Sequence, residues 1–250
     1  MSLRFQIGAL CAAAAVGCAG RASAEAADGP ASLEALRDLS LEELANVQVT
    51  TVSRRSESLA QAPAAAYVIT REEIVRRGAR TVPEILRLAP NLFVAQTSAS
   101  TWVITARGMA GNLADQAFSN KLLVLIDGRS VYTPLFSGVY WDLQDVLISD
   151  IDRVEVISGP AGTLWGANAV NGVINIITRK AGETQGLSLA AGGGDQERIL
   201  ALRVGGALGP QANWRAYARA YHADRTLTSA GAEAKDSWGR GQAGDRKSVV

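Results

Sequence analysis

The chain has 250 residues, with 25 basic and 24 acidic side chains, a formal net charge of +1 and 48% apolar residues. This balance argues against a strongly basic surface or an acidic tail, so we expect no nucleic-acid partner. The length accommodates one to two domains.

The first 24 residues have the features of a secretory signal peptide. Arg4 precedes an apolar, alanine-rich run over residues 7–19, and Ala22-Ser23-Ala24 forms a small-x-small cleavage site. The apolar run is shorter than the roughly 20 residues that a membrane-spanning helix needs. The alternative interpretation is a buried alanine-rich helix. We predict that residues 1–24 are removed on export.

The cysteines support this interpretation and limit the chemistry. Cys11 and Cys18 are the only cysteines, and both lie in the predicted signal peptide. The mature chain would keep one histidine, His222, and no thiol. Disulfide frameworks, thiolate zinc sites and Cys/His catalysis are therefore excluded.

Residues 25–60 are predicted to be a flexible leader. Ser40 and Glu43 have the spacing of a capping box and predict a very short helix ending near Ala45. Residues 47–53 then alternate β-branched and polar side chains, as an isolated strand does. The polar residues 54–63 are interpreted as a linker.

From residue 64 the pattern predicts a compact α+β domain. A strand over residues 65–70 is followed by Thr70 and Glu73, a second capping box, and a helix that Gly78 ends. Thr81 and Glu84 predict a third box and a second helix. Asn91 is a residue that tolerates the left-handed conformation.

The following segments predict a buried sheet. Residues 92–96 and 101–108 contain short strands, and residues 122–126 are apolar on both faces, which is typical of a central strand. Asp127-Gly128 predicts a tight turn into a returning strand. A helical turn near residues 147–150 and strands over residues 153–157 and 173–178 complete the domain.

After residue 178 the pattern changes to segments of about ten residues that are separated by turn residues. In one of them Trp214, Ala216, Ala218 and Ala220 share a face. Arg215, Tyr217, Arg219 and Tyr221 share the other. This alternation predicts transmembrane β-barrel strands, although a strand of a soluble sandwich would show it too.

Residues 159–178 are rich in glycine and lead into an apolar strand, as many phosphate-binding loops do. They contain no Gly-x-x-x-x-Gly-Lys-Ser/Thr motif, and no Gly-x-Ser-x-Gly elbow occurs in the chain. Asp150, Asp152 and Glu155 lack the spacing of a calcium loop, which favours an ion-pair role. We predict no catalytic residue, no metal site and no cofactor.

The ordered motifs "GARTVPEILRLAP", "TARG", "NKLLVLIDGRSVYTPLFSGVYW" and "DIDRVEVISGPAGTLWGANAVNGVINIITRK" resemble the plug domain of TonB-dependent outer-membrane receptors. The resemblance implies an α+β plug, a small mixed β-sheet with short helices, over residues 61–178. It also implies that residues 179–244 are the first antiparallel strands of a truncated transmembrane β-barrel.

The family implies energised uptake of a scarce nutrient, most often a ferric siderophore or cobalamin, through a 22-stranded barrel in outer-membrane lipid. TonB, with ExbB and ExbD, would pair with an exposed extended segment by strand addition. We call residues 47–52 the TonB-contact segment; its members are Val47, Gln48, Val49, Thr50, Thr51 and Val52.

Other roles are implied in the same way. The predicted plug–barrel contacts are Arg107, Arg153 and Glu155. The candidate ligand-facing aromatic residues are Tyr132, Tyr140 and Trp141, for which packing in the core is the alternative. Two positions depart from the family pattern: Ser158 replaces the usual arginine before Gly-Pro, and Asn91 stands where glycine is more common.

The last six residues, 245–250, resemble a translated sequencing adapter. This predicts an artefactual tail on a truncated gene model. If the truncation is real, the alternative function is a soluble periplasmic plug-like module that binds a ligand or partner. An exported enzyme is the third alternative, and it lacks a recognisable nucleophile or metal constellation.

Overall fold

The computed structural model describes residues 48–51, 57–58, 65–106, 121–133, 138–144, 146–159, 162–166, 168–210 and 212–249. All of them belong to one compact unit, Glu43–Val250. The signal peptide, the short helix after Ser40, both ends of the TonB-contact segment (Val47 and Val52) and Arg107 lie outside the described residues.

The described part is built mainly from strands. These are β1 (Gln48–Val49), β2 (Glu57–Ser58), β3 (Ala65–Thr70), β4 (Leu92–Gln96), β5 (Trp102–Ala106), β6 (Leu122–Ile126), β7 (Arg129–Ser130), β8 (Ile151–Ser158), β9 (Gly172–Thr178), β10 (Gly186–Gly193), β11 (Glu197–Ala207), β12 (Ala212–Ala223) and β13 (Trp238–Val249). The helices are α1 (Arg71–Arg77), α2 (Val82–Leu86) and α3 (Gly162–Trp165), with 3-10 turns at Trp141–Leu143, Ile148–Asp150 and Ala181–Glu183.

A five-stranded mixed sheet in the order β3-β8-β9-β6-β7 forms the centre of the N-terminal domain, by which we mean β3 to β9 with α1 to α3. β6 and β9 are parallel, and the other neighbours are antiparallel. Because both faces of the sheet are covered, its central strands are apolar on both sides, as the run at residues 122–126 predicted. The α+β fold class is confirmed.

The two faces carry separate cores. Alternate residues of each strand face one side or the other, so Val154, Ile174 and Ile176 pack in the larger cluster with α1, α2 and β5. Ile157 and Val173 belong to a smaller cluster on the opposite face, together with Val49 from β1. The N-terminal segment therefore completes the second core.

The first helix begins and ends as predicted. The hydroxyl of Thr70 accepts from the N–H of Glu73, whose carboxylate accepts in return from the N–H of Thr70, and Gly78 has a left-handed conformation with φ 64°. The capping box predicted for α2 is absent. The Thr81 side chain makes no capping bond, and the Glu84 carboxylate accepts from the N–H of Arg80 at 2.8 Å rather than from that of Thr81.

The tight turn at Asp127-Gly128 is present, with positive φ at both residues (49° and 78°), and it joins β6 to β7. Among the described residues Asp127 is the one non-glycine with positive φ, so the left-handed conformation considered for Asn91 is not adopted. The Asp127 carboxylate accepts from the N–H of Thr178 at 2.8 Å, which ties the turn to the end of β9.

The second sheet is antiparallel in the order β10-β11-β12-β13, and its outer strands are unpaired with each other. Its apolar face carries Leu187, Leu189, Leu200, Leu202 and Val204, each at least 38% exposed. Arg203 and Arg215 lie on the opposite face, against the N-terminal domain. The predicted alternation is confirmed, and the open sheet fits the first strands of a barrel.

No helix within the described ranges is long and apolar enough to cross a membrane.

Several elements were not expected. β2 lies in the residues interpreted as a polar linker, α3 lies in a stretch expected to be irregular, and β13 and the 3-10 turns at Trp141–Leu143 and Ala181–Glu183 were not predicted. The strand predicted over residues 47–53 has only two strand residues among those described, Gln48 and Val49, paired with β2. The strand pairing of β2 and β13 depends on context that periodicity within one segment does not contain.

Candidate functional site

The described part of the TonB-contact segment, residues 48–51, docks on the five-stranded sheet. Val49 is fully buried in the smaller core cluster, and Thr51 is 1% exposed. We expected an exposed extended segment, and this expectation is wrong for these two residues. The neighbours of Val49 on the sheet are apolar, so burying its side chain there removes hydrocarbon from water.

Glu155 holds this segment through its carboxylate. Its Oε2 atom accepts from the backbone N–H groups of Thr50 (2.9 Å) and Thr51 (2.8 Å) and from the Thr51 hydroxyl (2.5 Å). Its Oε1 atom accepts from the Thr50 hydroxyl (3.1 Å) and from Nε of Arg153 (2.9 Å). Glu155 is fully buried, and a buried carboxylate is tolerated only when such donors surround it.

Two further hydrogen-bond donors to Thr51 come from the N-terminal domain. The indole N–H of Trp165, in α3, donates to the Thr51 carbonyl at 2.9 Å. The side-chain amide of Asn175, the cross-strand neighbour of Glu155 on β9, donates to the Thr51 hydroxyl at 3.0 Å. Thr51 is thereby held at its N–H, its carbonyl and its side chain.

Glu155 and Arg153 were predicted to contact the barrel. Among the described residues, Arg153 binds Asp152 (2.7 Å) and Glu155, and Glu155 binds the docked segment. Thr50 and Thr51 cover the side of β8 from which Glu155 projects. A contact of Arg153 and Glu155 with the barrel stays a prediction.

The contact between the N-terminal domain and the four-stranded sheet is centred on Asp150, at the start of β8. Its carboxylate, 2% exposed, pairs with Arg203 of β11 and with Nη1 of Arg215 of β12 at 3.1 Å. Arg215 also donates to the carbonyl of Arg179 (3.2 Å) and to the hydroxyl of Thr184 (3.3 Å). Asp150 was predicted to form an ion pair. It forms two, with Arg203 and Arg215, and both are buried.

Further polar bonds extend this interface toward the other end of the strands. Arg219 of β12 donates to the carbonyl of Arg80 (3.0 Å), and Arg240 of β13 donates to that of Asp142 (2.6 Å). The loop between β12 and β13 joins through Asp236, which accepts from the N–H of Ala99 at 3.0 Å. These contacts were not foreseen, although the alternation in β12 had marked Arg215 and Arg219 as one face.

A cavity of about 40 Å³ lies within this interface. Burial raises the pKa of the Asp142 carboxyl in its wall, against a smaller opposing effect of Arg240. Of the candidate ligand-facing aromatic residues, Trp141 lines the cavity but is 6% exposed and packs in the larger core. Tyr132 and Tyr140 are half-buried.

The two departures from the family pattern contact each other. The side-chain amide of Asn91 donates to the hydroxyl of Ser158. An arginine at 158 and a glycine at 91 could not form this bond, so the two changes are complementary.

The glycine-rich stretch has a structural explanation at Gly172. A Cβ atom on this residue would lie 2.3 Å from the carbonyl oxygen of Ile157, so the pairing of β8 with β9 requires glycine there. Within the described residues no group of three or more His, Cys, Asp or Glu side chains could hold a metal ion.

The comparisons with known proteins point in one direction. Residues 58–173 match the family model described as TonB-dependent Receptor Plug Domain. The chain is 31% identical over 147 residues to the vitamin B12 transporter BtuB of Vibrio vulnificus. This alignment covers 58% of this chain and 23% of that protein. The chain is 37% identical over 137 residues to an iron-regulated outer membrane virulence protein of Vibrio cholerae, covering 53% and 20%.

Among solved structures, the pyoverdine outer membrane receptor FpvA of Pseudomonas aeruginosa aligns with a TM-score of 0.57 at 24% identity. The alignment covers 72% of this chain and 25% of that receptor, and at this identity it shows the fold. The chain spans about a quarter or less of the length of these relatives. Residues 58–173 therefore belong to the family of TonB-dependent receptor plug domains.

Proposed function

We propose that this chain is the N-terminal part of a receptor that imports a ferric siderophore or cobalamin across the outer membrane, with energy supplied by TonB together with ExbB and ExbD. The N-terminal domain would close the pore, and the four-stranded sheet would belong to its wall. The lipid of the outer membrane would contact the apolar face of that sheet.

The observation that carries the proposal is the joint presence of a plug domain and a docked segment directly before it. A short extended segment whose backbone can pair with an incoming strand suits β-strand addition. Gln48 and Val49 are such a segment, and they lie within the TonB-contact segment, residues 47–52. We propose that TonB pairs with this segment after it leaves the sheet.

The interface around Asp150 supports a gating role for the domain. Its contacts are ion pairs and hydrogen bonds to Arg203, Arg215, Arg219 and Arg240 rather than a continuous apolar core. Polar contacts of this kind can be exchanged for water when the two parts separate. A domain attached in this way can move while its own cores stay intact.

The substrate class is drawn from the relatives. One is named as a vitamin B12 transporter and another as an iron-regulated outer membrane protein. We therefore propose a large, scarce iron- or cobalt-containing nutrient. Tyr132 and Tyr140 are retained as proposed ligand contacts. Trp141, which is buried in the core, is a weaker candidate in this state.

The test is growth of a deletion strain on defined nutrients. We expect the deletion to abolish growth on one ferric siderophore or on cobalamin at limiting concentration, and the native locus to restore it. A strain that also lacks TonB should not be rescued. Unimpaired growth and uptake of radiolabelled ⁵⁵Fe-siderophores and of ⁵⁷Co-cobalamin in the deletion strain would contradict the proposal.

A further inference from the structure

We infer that Glu155 is a positioning residue that keeps the TonB-contact segment closed, because its carboxylate occupies the backbone N–H groups that an incoming strand would need. This inference rests on the proposed function of residues 47–52. We call the contact of Glu155 with Thr50 and Thr51 the latch.

The Glu155 carboxylate depends on the docked segment for most of its hydrogen-bond donors. The side chain is fully buried on a sheet face whose other members include Val68, Ile157 and Val173. Four donor groups of Thr50 and Thr51 bind it, two N–H groups and two hydroxyls, and Arg153 supplies a further donor. If the segment left, this carboxylate would lose most of its donors. Docking is therefore favoured by bonds to an ionised group, which are stronger than neutral ones.

Glu155 and an incoming strand would compete for the same backbone atoms of the segment. Strand addition uses main-chain N–H and C=O groups of the added segment. The N–H groups of Thr50 and Thr51 donate to Oε2 of Glu155, and the carbonyl of Thr51 accepts from Trp165. One edge of Gln48–Val49 is already paired with Glu57–Ser58. Pairing that extends past Val49 therefore excludes the latch, and the latch excludes such pairing.

The latch is distinct from the hydrogen bonds that hold β8 in the sheet. β8 remains held by β3 and β9 along its length, whichever side chain stands at 155. Asp152 provides a matched comparison, since its carboxylate lies on the same strand and binds the same Arg153 at 2.7 Å. No contact between Asp152 and the docked segment is present among the described residues.

The experiment uses the full-length receptor in outer-membrane vesicles, with a spin label on Gln48→Cys. Glu155→Gln keeps the shape of the side chain and removes its charge. We expect it to raise the ratio of mobile to immobile label about 10-fold or more, given the usual strength of hydrogen bonds to charged groups. Asp152→Asn should leave the spectrum unchanged. An equally immobile label in Glu155→Gln would overturn the inference.

A second readout tests the competition itself. Cross-linking of the cysteine introduced at position 48 to the purified C-terminal domain of TonB, without added ligand, should increase in Glu155→Gln and stay low in Asp152→Asn. A mobile label with unchanged cross-linking in Glu155→Gln would refute the competition. If no variant cross-links to TonB with or without any nutrient, the proposed function fails, while the spectra still report on the latch.

Folding of the variant is checked by hydrogen exchange in β8 and β9, which should match the parent. If Glu155→Gln does not fold, Thr51→Val carries the test, since it removes one hydroxyl donor and leaves Glu155 in place. A more mobile label at position 48 in Thr51→Val supports the latch, and an unchanged spectrum contradicts it.

Discussion

The interior of the N-terminal domain and its interface with the four-stranded sheet differ in chemistry. The interior is apolar, and the interface is polar and charged. The interior is a sheet between two apolar clusters, in which Ile174, Ile176 and Val154 are fully buried. The interface is made of charged side chains and carbonyl groups around Asp150. The first arrangement is stable because apolar area is removed from water, and the second because charges meet partners.

The two regions therefore differ in what it costs to open them. Opening an apolar core exposes hydrocarbon to water, and no new hydrogen bond or charge solvation offsets that cost. Separating a polar interface returns its charges to water, which solvates them well, so a buried ion pair adds little net stability even though breaking one side of it is costly. A substitution in the apolar interior should therefore weaken the whole domain, whereas one in the interface should weaken mainly its surroundings.

The largest effect is expected for a cavity in the interior. Ile176→Ala removes most of a fully buried side chain and should destabilise the domain by up to about 5 kcal/mol. Hydrogen exchange should accelerate across β6, β8 and β9 together, because they open as one unit. Val75→Ala, at a side chain that is 65% exposed, is the control and should change little. Exchange confined to β9 would contradict a cooperative interior.

A somewhat smaller and more local effect is expected at the interface. Asp150→Asn removes the counter-charge shared by Arg203 and Arg215, at a cost of about 3 kcal/mol. Exchange should rise in β11, β12 and residues 148–150, with β6 and β9 unchanged. Asp224→Asn, in an exposed pair with His222, should have almost no effect. A collapse of protection throughout the domain would remove the distinction between the two regions.

Loss of a single neutral hydrogen bond should lower the free energy that holds the docked segment on the sheet by about 1 kcal/mol. Trp165→Phe removes the donor to the Thr51 carbonyl and should speed exchange of residues 48–51 roughly fivefold. The measurement is exchange of an N-terminal peptide, compared with a β6 peptide from the same sample. A larger effect on β6 than on the segment would show that Trp165 acts in the core instead.

The smallest effect concerns pH. Hydrogen bonds from Thr226 and then from Ala99 lower the pKa of the Asp236 carboxyl below its usual 3.8. Because the folded value lies below the unfolded one, this contribution is complete above about pH 4 and is lost as the pH falls through the folded value. A spin label on Ser229→Cys should therefore become more mobile as the pH is lowered from about 5 to about 3.

Asp236→Asn provides the comparison for that titration. The variant lacks the titrating group, so its label should be more mobile than the parent at pH 5 and should change little on acidification. A parent-like titration in Asp236→Asn would assign the pH dependence to another group.

Local rules predicted local structure well. Thr70 and Glu73 began α1 at the expected residue, Asp127-Gly128 formed the expected turn, and the alternation in β12 assigned Arg215 and Trp214 to opposite faces. Each signal lies within a few residues of the element that it specifies. The family motifs added the order of the elements, which periodicity alone does not give.

What sequence could not supply was the partner of each polar side chain. Glu155 and Thr51 are 104 residues apart, and Asp150 and Arg203 are 53 apart. The faint signal was a charged residue at 155 and an amide at 175 in strands that are otherwise apolar, since a buried polar group requires a partner. It indicated that something polar covers this face, without saying what.

The apolar face of β10 and β11 has a consequence for the biogenesis of the protein. Leu187 and Leu189 are 74% and 67% exposed, on a sheet with open edges. In an aqueous compartment such a face favours adhesion to other chains. We therefore expect these strands to need an apolar cover at every stage before lipid contacts them.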